Sequence, residues 1–116
     1  MTVVDLHNHF FPERWPDWDA RFGGAPWPTI RHDGGGKATI MLGDKEFRRI
    51  DERCWNVARR IEDMDRDGIG LQVISATPVL FAYGRPAAEA AEVAKFYNDA
   101  ALEMCARSGG RLAALC

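Results

Sequence analysis

The sequence lacks two features that mark proteins bound to nucleic acids or membranes. Basic and acidic residues nearly balance, 15 against 17, so the 116-residue chain carries a formal net charge of -2. Without a basic stripe, nucleic acids and acidic membrane surfaces are poor candidates for partners. The chain also has no apolar run long enough to span a bilayer, and no cationic start followed by an apolar segment. We therefore expect a single small domain in the cytoplasm.

Cysteine is scarce as well, and its three occurrences follow no recognisable pattern. Cys54, Cys105 and Cys116 are odd in number, lie far apart and form no C-x-x-C spacing. This excludes a disulfide framework. No adjacent base accompanies any of them, so nucleophilic catalysis by a thiol is not expected. We predict three reduced thiols, with Cys105 packed on a helix.

The segment at residues 3–12 carries the strongest chemical signal. Its apolar start is typical of a short strand, which Pro12 ends because proline has no amide proton for a ladder. Side chains alternate between the faces of a strand, so Asp5, His7 and His9 are predicted to share one face. Two imidazoles on one face can bind one ion, since neutral imidazole nitrogen suits zinc and other transition metals. An H-x-H pair alone is a weak signal, but its position at the C-terminal end of a predicted strand favours a metal site.

The next forty residues predict a loop followed by a small antiparallel meander. Proline, glycine and tryptophan crowd residues 13–28, which argues against a helix or a central strand there. The large apolar tryptophans argue against disorder, so we expect an ordered loop pinned by its aromatic rings rather than a substrate platform. Three short strands follow over residues 29–50, with Gly43 and Asp44 as a two-residue hairpin turn. His32 is predicted to be a polar strand residue, not a ligand.

The remainder alternates helices with strands. We predict a helix capped by Asn56 and running to about Asp67, a strand at residues 71–75, a helix over residues 86–107, and a third strand from Arg111. Such an order favours parallel pairing with right-handed crossovers, and strands this apolar need helices on both faces or a closed barrel. The third strand would leave an edge free to pair with more chain or with a partner.

Several segments together resemble one known family. They are Asp5-Leu6-His7-Asn8-His9-Phe10-Phe11-Pro12, Ala25-Pro26-Trp27, Ile40-Met41-Leu42-Gly43, Phe47-Arg48, Arg60-Ile61-Glu62-Asp63-Met64-Asp65, Gln72-Val73 and Ala76-Thr77-Pro78-Val79. Spread over nearly the whole chain, they resemble the N-terminal part of the metal-dependent decarboxylases of the amidohydrolase superfamily. The most similar group is the 2-amino-3-carboxymuconate 6-semialdehyde decarboxylase family.

This resemblance implies an α/β fold that forms the N-terminal portion of a (β/α)₈ TIM barrel. Residues 1–116 would contribute strands 1 to 3, with residues 13–55 as a loop plus a three-stranded antiparallel insertion after strand 1. In such a family zinc, or another divalent transition metal, is held by the two histidines of H-x-H, here His7 and His9. A further histidine and an aspartate of the family have no counterpart in this chain, nor do its acid and base residues. Arg48 matches an arginine that binds the carboxylate of the substrate, which suits the paired hydrogen bonds of a guanidinium.

Three functions remain open at this point. The chain is expected to be part of a zinc-dependent decarboxylase, in which a zinc-acidified water assists proton transfer and carbon dioxide loss from a small-molecule carboxylate. Alternatively, the same metal site could serve a hydrolase or a hydratase, because superfamilies reuse one site for several reactions. A (β/α)₈ barrel typically needs about 250 residues, which is more than the 116 residues of this chain. The third possibility is therefore a non-catalytic partial barrel that works through self-association, as a homo-oligomer, or through a complementary chain.

Overall fold

One parallel and one antiparallel sheet, each of three strands, form the framework of an α/β fold in the computed structural model, which describes residues 2–116. The strands are β1 (Val4–Phe10), β2 (Pro28–Gly34), β3 (Lys37–Leu42), β4 (Lys45–Asp51), β5 (Leu71–Ala76) and β6 (Leu112–Ala114). The helices are α1 (Trp18–Phe22), α2 (Val57–Asp67) and α3 (Ala87–Ala106), with short 3₁₀ turns at Glu52–Cys54 and Pro78–Leu80. The parallel sheet has the order β1-β5-β6, and the antiparallel sheet has the order β2-β3-β4.

Local signals in the sequence set the two longer helices, and their predictions are confirmed. The Asn56 side chain accepts a hydrogen bond from the Arg59 amide at 3.1 Å, which caps the first turn of α2. Gly68 ends this helix with a φ of 72°, a left-handed conformation that glycine adopts without steric cost. Helix α3 begins directly after Pro86, as expected for a residue whose missing amide proton costs nothing at a helix start.

The helices α2 and α3 cover one face of the parallel sheet. A buried cluster joins them to all three parallel strands, and it consists of Phe10, Val57, Met64, Ile74, Ala101, Met104 and Leu112. Ile74 at the centre of β5 is fully buried there, whereas its neighbours Val73 and Ser75, which point the other way, stay half-buried. We call the side opposite α2 and α3 the open face of the parallel sheet.

The tryptophan-rich segment is pinned by its rings, as predicted, but it also contains a helix. Trp18 and Trp27 are buried, and the Trp18 indole nitrogen donates to the Tyr97 hydroxyl at 3.1 Å. The expectation that residues 13–28 hold no helix was wrong, because α1 occupies five residues between Pro16 and Gly23. The helix-breaking residues Pro16 and Gly23 lie at the ends of α1, where they are tolerated. The Asp17 carboxylate caps this helix, since it accepts a hydrogen bond from the backbone amide of Ala20 at 3.0 Å.

The antiparallel sheet turns and packs as the sequence indicates. Gly43, with a φ of 60°, leads the two-residue turn that joins β3 to β4, so the predicted hairpin is confirmed. Ile40 on β3 is fully buried. It belongs to a second cluster with Phe11, Trp18, Trp27, Leu80, Val93 and Tyr97, which fastens the antiparallel sheet to α3 and to the end of β1. Among the helices of residues 2–116, none combines the length and the apolar character needed to cross a membrane.

Candidate functional site

The two histidines of β1 meet on the open face of the parallel sheet. Their Nε2 atoms lie 3.2 Å apart, and the rings stand almost perpendicular with centroids separated by 5.1 Å. His9 alternates with Phe10, which points into the core, so both imidazoles face away from α2 and α3. His7 is exposed and His9 is half-buried. The structure therefore brings both predicted ligands together in an accessible position.

The separation of these nitrogens suits one shared metal ion. Zinc binds imidazole nitrogen at about 2.0–2.1 Å, and two nitrogens in a tetrahedral shell at that radius stand about 3.3 Å apart. The observed 3.2 Å also suits a direct hydrogen bond from one ring to the other. Within residues 2–116 no group of three or more histidine, cysteine or acidic side chains could hold a metal. The described chain thus offers two nitrogen donors for a site that normally has at least three protein ligands.

Asp5 does not share the face of the histidines, contrary to the expectation from simple alternation. In the pairing with β5, Asp5 lies opposite Gln72 and Asn8 lies opposite Ile74, so β1 holds one extra residue between them. This bulge reverses the side-chain direction before it and turns Asp5 toward α2. Its carboxylate accepts from the Asn8 side-chain amide at 2.6 Å and, at a longer 3.4 Å, from Gln72.

A buried arginine lies behind the histidine pair, on the helix side of the sheet. Arg60 of α2 is 7% exposed, and its guanidinium donates to three acceptors. These are the Asn8 side-chain oxygen at 2.6 Å, the Gln72 side-chain oxygen at 3.1 Å and the backbone carbonyl oxygen of His9 at 3.1 Å. Both amides also contact the Asp5 carboxylate, so two amide bridges link one buried positive charge to one negative charge. We call Arg60, Asn8, Gln72 and Asp5 the arginine network.

The charge of Arg60 is retained despite its burial. Burial lowers the pKa of this guanidinium, and the negative charge of Asp5 opposes that effect. A guanidinium stays protonated in proteins, so it needs the acceptors that β1 and β5 supply. Its Nε atom has no hydrogen-bond partner within residues 2–116.

Sequence reasoning gave Arg60 no role, although a signal was present. It lies three residues after Val57 and four before Met64, on the apolar stripe of α2. A charged side chain on such a stripe needs buried partners.

Ser75 is a second residue that sequence reasoning did not single out. It lies directly opposite His9 in the pairing of β1 with β5. Its hydroxyl oxygen is 3.1 Å from the Nδ1 atom of His9, the ring nitrogen that does not face His7. No spacing pattern could have indicated this contact, because 66 positions separate the two residues.

Arg48 lies on the antiparallel sheet, away from the histidine pair. It is exposed on β4 opposite the buried Ile40, and cross-strand partners share one face of a sheet. Arg48 therefore lies on the face that packs toward the main body and the end of β1. Its guanidinium lies 5.6 Å from the Phe47 ring and forms no ion pair within residues 2–116. The structure thus leaves it free to bind an anion but shows no contact with His7 or His9.

The other candidates of the sequence have structural roles. The Nε2 atom of His32 lies 2.7 Å from the backbone oxygen of Glu13, and its ring packs edge-on against Trp55. All three cysteines are free thiols. Burial raises the pKa of the Cys54 and Cys105 thiols, which disfavours the reactive thiolate.

Three relatives carry the same name, 2-amino-3-carboxymuconate-6-semialdehyde decarboxylase. The protein from Dictyostelium discoideum is 36% identical over 96 residues, which are 83% of this chain. The one from Caenorhabditis elegans is 32% identical over 112 residues, or 97% of this chain. The one from Sus scrofa is 38% identical over 50 residues, or 43% of this chain. This chain is similar to these decarboxylases over most of its own length.

The match to the family covers only part of its members. The chain spans 27% of the length of the Dictyostelium relative and 28% of that of the Caenorhabditis relative. A crystal structure of Metarhizium anisopliae IDCase in apo form matches 98% of this chain with a TM-score of 0.68, at 23% identity and over 34% of its own length. That similarity shows the shared fold. No protein-family model matches the sequence.

Proposed function

We propose that this chain is the N-terminal part of a zinc-dependent decarboxylase that acts on a carboxylic acid resembling 2-amino-3-carboxymuconate semialdehyde. The observation that carries the proposal is the convergence of the His7 and His9 Nε2 atoms, 3.2 Å apart on the open face. The names of relatives at 36% and 32% identity support the choice of reaction.

Each predicted site residue has a defined part in this proposal. His7 and His9 would hold the metal, and the remaining ligands would come from outside residues 2–116. When bound, the divalent ion supplies a Lewis acid for the reaction. Arg48 would bind a substrate carboxylate through two parallel hydrogen bonds, because it is exposed, forms no ion pair within residues 2–116 and lies on the same face of the antiparallel sheet as Ile40. Substrate held in this way would be oriented between the antiparallel sheet and the histidine pair.

The topology supports a partial (β/α)₈ barrel as the setting of this site. Three parallel strands in the order β1-β5-β6, with α2 and α3 packed on one face, have the arrangement of neighbouring barrel strands. His9 and Ser75 lie near the C-terminal ends of their strands, the end at which barrel enzymes place their active sites. The boundaries 1–116 for the domain and 13–55 for the insertion, and the cytoplasmic location, remain predictions.

A non-catalytic role through association has one observation in its favour. Leu6 on β1 is 72% exposed and Leu115, just after β6, is 62% exposed, and both lie at the outer edges of the parallel sheet. Apolar side chains beside unpaired strand edges suit further strands, from the same polypeptide or from another subunit. This second candidate predicts a defined assembly with no turnover.

The experiment that tests the proposal combines metal content with turnover. The purified protein is expected to bind about one zinc per site, and His7→Ala with His9→Ala should abolish binding, whereas His32→Ala should not. Release of carbon dioxide from the semialdehyde acid should accompany its consumption. Consumption without carbon dioxide would favour the hydrolase or hydratase, and a defined oligomer without metal or turnover would favour the non-catalytic role.

Arg48 has a matched control on the same strand. Arg49 points to the opposite face of β4, is 80% exposed and pairs with Glu46 at 3.3 Å. Arg48→Met should raise the KM for the carboxylate by about tenfold or more, since a charge-assisted bidentate contact contributes about 1.5–3 kcal/mol. Arg49→Met should leave KM unchanged. Equal KM values in the two variants would remove Arg48 from the site.

A further inference from the structure

We propose that Ser75 is a positioning residue that orients the His9 ring and keeps its Nε2 atom ready to bind metal. The inference rests on the proposed function, because it assigns a partner to one of the two proposed ligands. Metal-ligating histidines commonly use their second ring nitrogen for such a contact, which selects the tautomer and fixes the ring.

The backbone holds Ser75 where this contact requires it. Ser75 pairs directly with His9 across the parallel ladder of β1 and β5. Both side chains therefore lie on the open face, and the serine Oγ atom stands 3.1 Å from Nδ1 of His9. From the opposite side of the sheet, Arg60 donates to the backbone oxygen of His9 at 3.1 Å. The backbone and the ring of His9 are thus held by separate contacts.

A second acceptor beside the serine hydroxyl supports one direction for its hydrogen bonds. Ser75 Oγ also lies 3.5 Å from the backbone oxygen of Asn8, a longer contact in which only the hydroxyl can donate. With its proton directed there, Oγ accepts from an Nδ1–H of His9. A neutral imidazole carries one ring proton, so the Nε2 atom of His9 then has a free lone pair.

The contact between the two histidines agrees with this tautomer. With His9 Nε2 as the acceptor, the Nε2–H of His7 can donate to it across the 3.2 Å separation when no metal is bound. The ring nitrogens of His7 form no other side-chain contact within residues 2–116, so His9 is the fixed member of the pair. Without the Ser75 hydroxyl, His9 should therefore lose its preference for the Nδ1–H tautomer, and its ring should no longer be held in one orientation.

The test uses the only two serines of the chain. Ser75→Ala removes the proposed contact and Ser75→Thr keeps a hydroxyl. Ser108→Ala is the matched control, because it removes a buried hydroxyl that bonds the Cys105 carbonyl oxygen at 2.7 Å, remote from His9. Two quantities are measured on each purified protein. One is the histidine tautomer without metal, from nitrogen-15 NMR of the three histidines, and the other is the affinity for Zn²⁺ by competition with a chromophoric chelator.

The wild-type protein is expected to show His9 in the Nδ1–H form, and Ser75→Ala to lose that preference. Metal affinity should fall by about 10- to 100-fold in Ser75→Ala and stay near the wild-type value in Ser75→Thr and Ser108→Ala. A wild-type His9 in the Nε2–H form overturns the proposal even if no variant folds. Unchanged affinity in Ser75→Ala, with tight binding by the wild type, overturns the positioning role alone. Absence of Zn²⁺ binding by the wild type overturns the assignment of His7 and His9 as a metal-binding pair within this chain, and with it the role of Ser75 toward a metal.

Discussion

Replacement of Arg60 by methionine tests whether the arginine network holds the histidine strand against α2. Methionine has a comparable length and is apolar, so it can fill the space without the charge. The substitution leaves three acceptors without their donor, namely the side-chain oxygens of Asn8 and Gln72 and the backbone oxygen of His9. It also removes the positive charge that the side-chain amides of Asn8 and Gln72 link to the Asp5 carboxylate.

The expected loss can be estimated from these contacts. A buried polar atom left without a partner costs about 1–3 kcal/mol, and removing one partner from a buried charged network costs about 3–5 kcal/mol. The substitution also removes the cost of burying a charged guanidinium, and this gain offsets part of the cost of leaving three acceptors without a donor. We therefore expect Arg60→Met to lower the free energy of unfolding by about 3–5 kcal/mol. Because domains are stable by only about 5–15 kcal/mol, this is a large fraction of the total.

Urea titration followed by the fluorescence of the four tryptophans measures this quantity. Arg59→Met is the matched control, because its side chain lies on the same helix and pairs at the surface with Glu62 at 2.8 Å. That exposed pair should contribute less than about 1 kcal/mol. Arg60→Lys keeps the charge but not the planar fork, so an intermediate loss is expected. If Arg60→Met destabilises the protein no more than Arg59→Met, the network contributes nothing to stability and our reasoning fails.

Two further predictions concern the turns. Gly43→Ala should lower the free energy of unfolding by about 1–2 kcal/mol, because a residue with a Cβ atom is strained at a φ of 60°. The loss would come from the backbone and not from a clash, since the nearest atom to the added Cβ, in Pro26, lies 3.5 Å away. Asp44→Ala, the control in the same turn, should cost less, and equal costs would contradict the argument. Asp51 accepts from the Arg53 amide and from its guanidinium, both at 2.9 Å, which holds the pKa of its carboxyl below the usual value. The stabilisation by this carboxylate should therefore be present above about pH 4 and be lost as the pH falls further. The difference in unfolding free energy between the wild type and Asp51→Asn should shrink as the pH falls below about 4. A difference between them that does not change with pH would show that the charge of Asp51 is unimportant.

The parts of the fold that local chemistry controls were readable from the sequence. Asn56 and Gly68 bound α2 because a capping side chain and a left-handed glycine act within one turn of the chain. Gly43 marked its hairpin for the same reason. The pair His7 and His9 was identified because alternation along a strand needs no partner strand. The short helix α1 was missed, since the density of proline and glycine was weighed without regard to their positions at its ends.

The surroundings of the two histidines depended on contacts between distant residues. The side on which Asp5 lies was decided by a bulge, and a bulge exists only relative to a paired strand, here β5. The contacts of Arg60 with Asn8 and of Ser75 with His9 join residues 52 and 66 positions apart. The sequence by itself thus determined which side chains are candidates for binding a metal or a carboxylate. The register between β1 and β5, together with the packing of α2 against them, decided how those side chains are held, because the register of two separate strands depends on the whole buried core rather than on either strand alone.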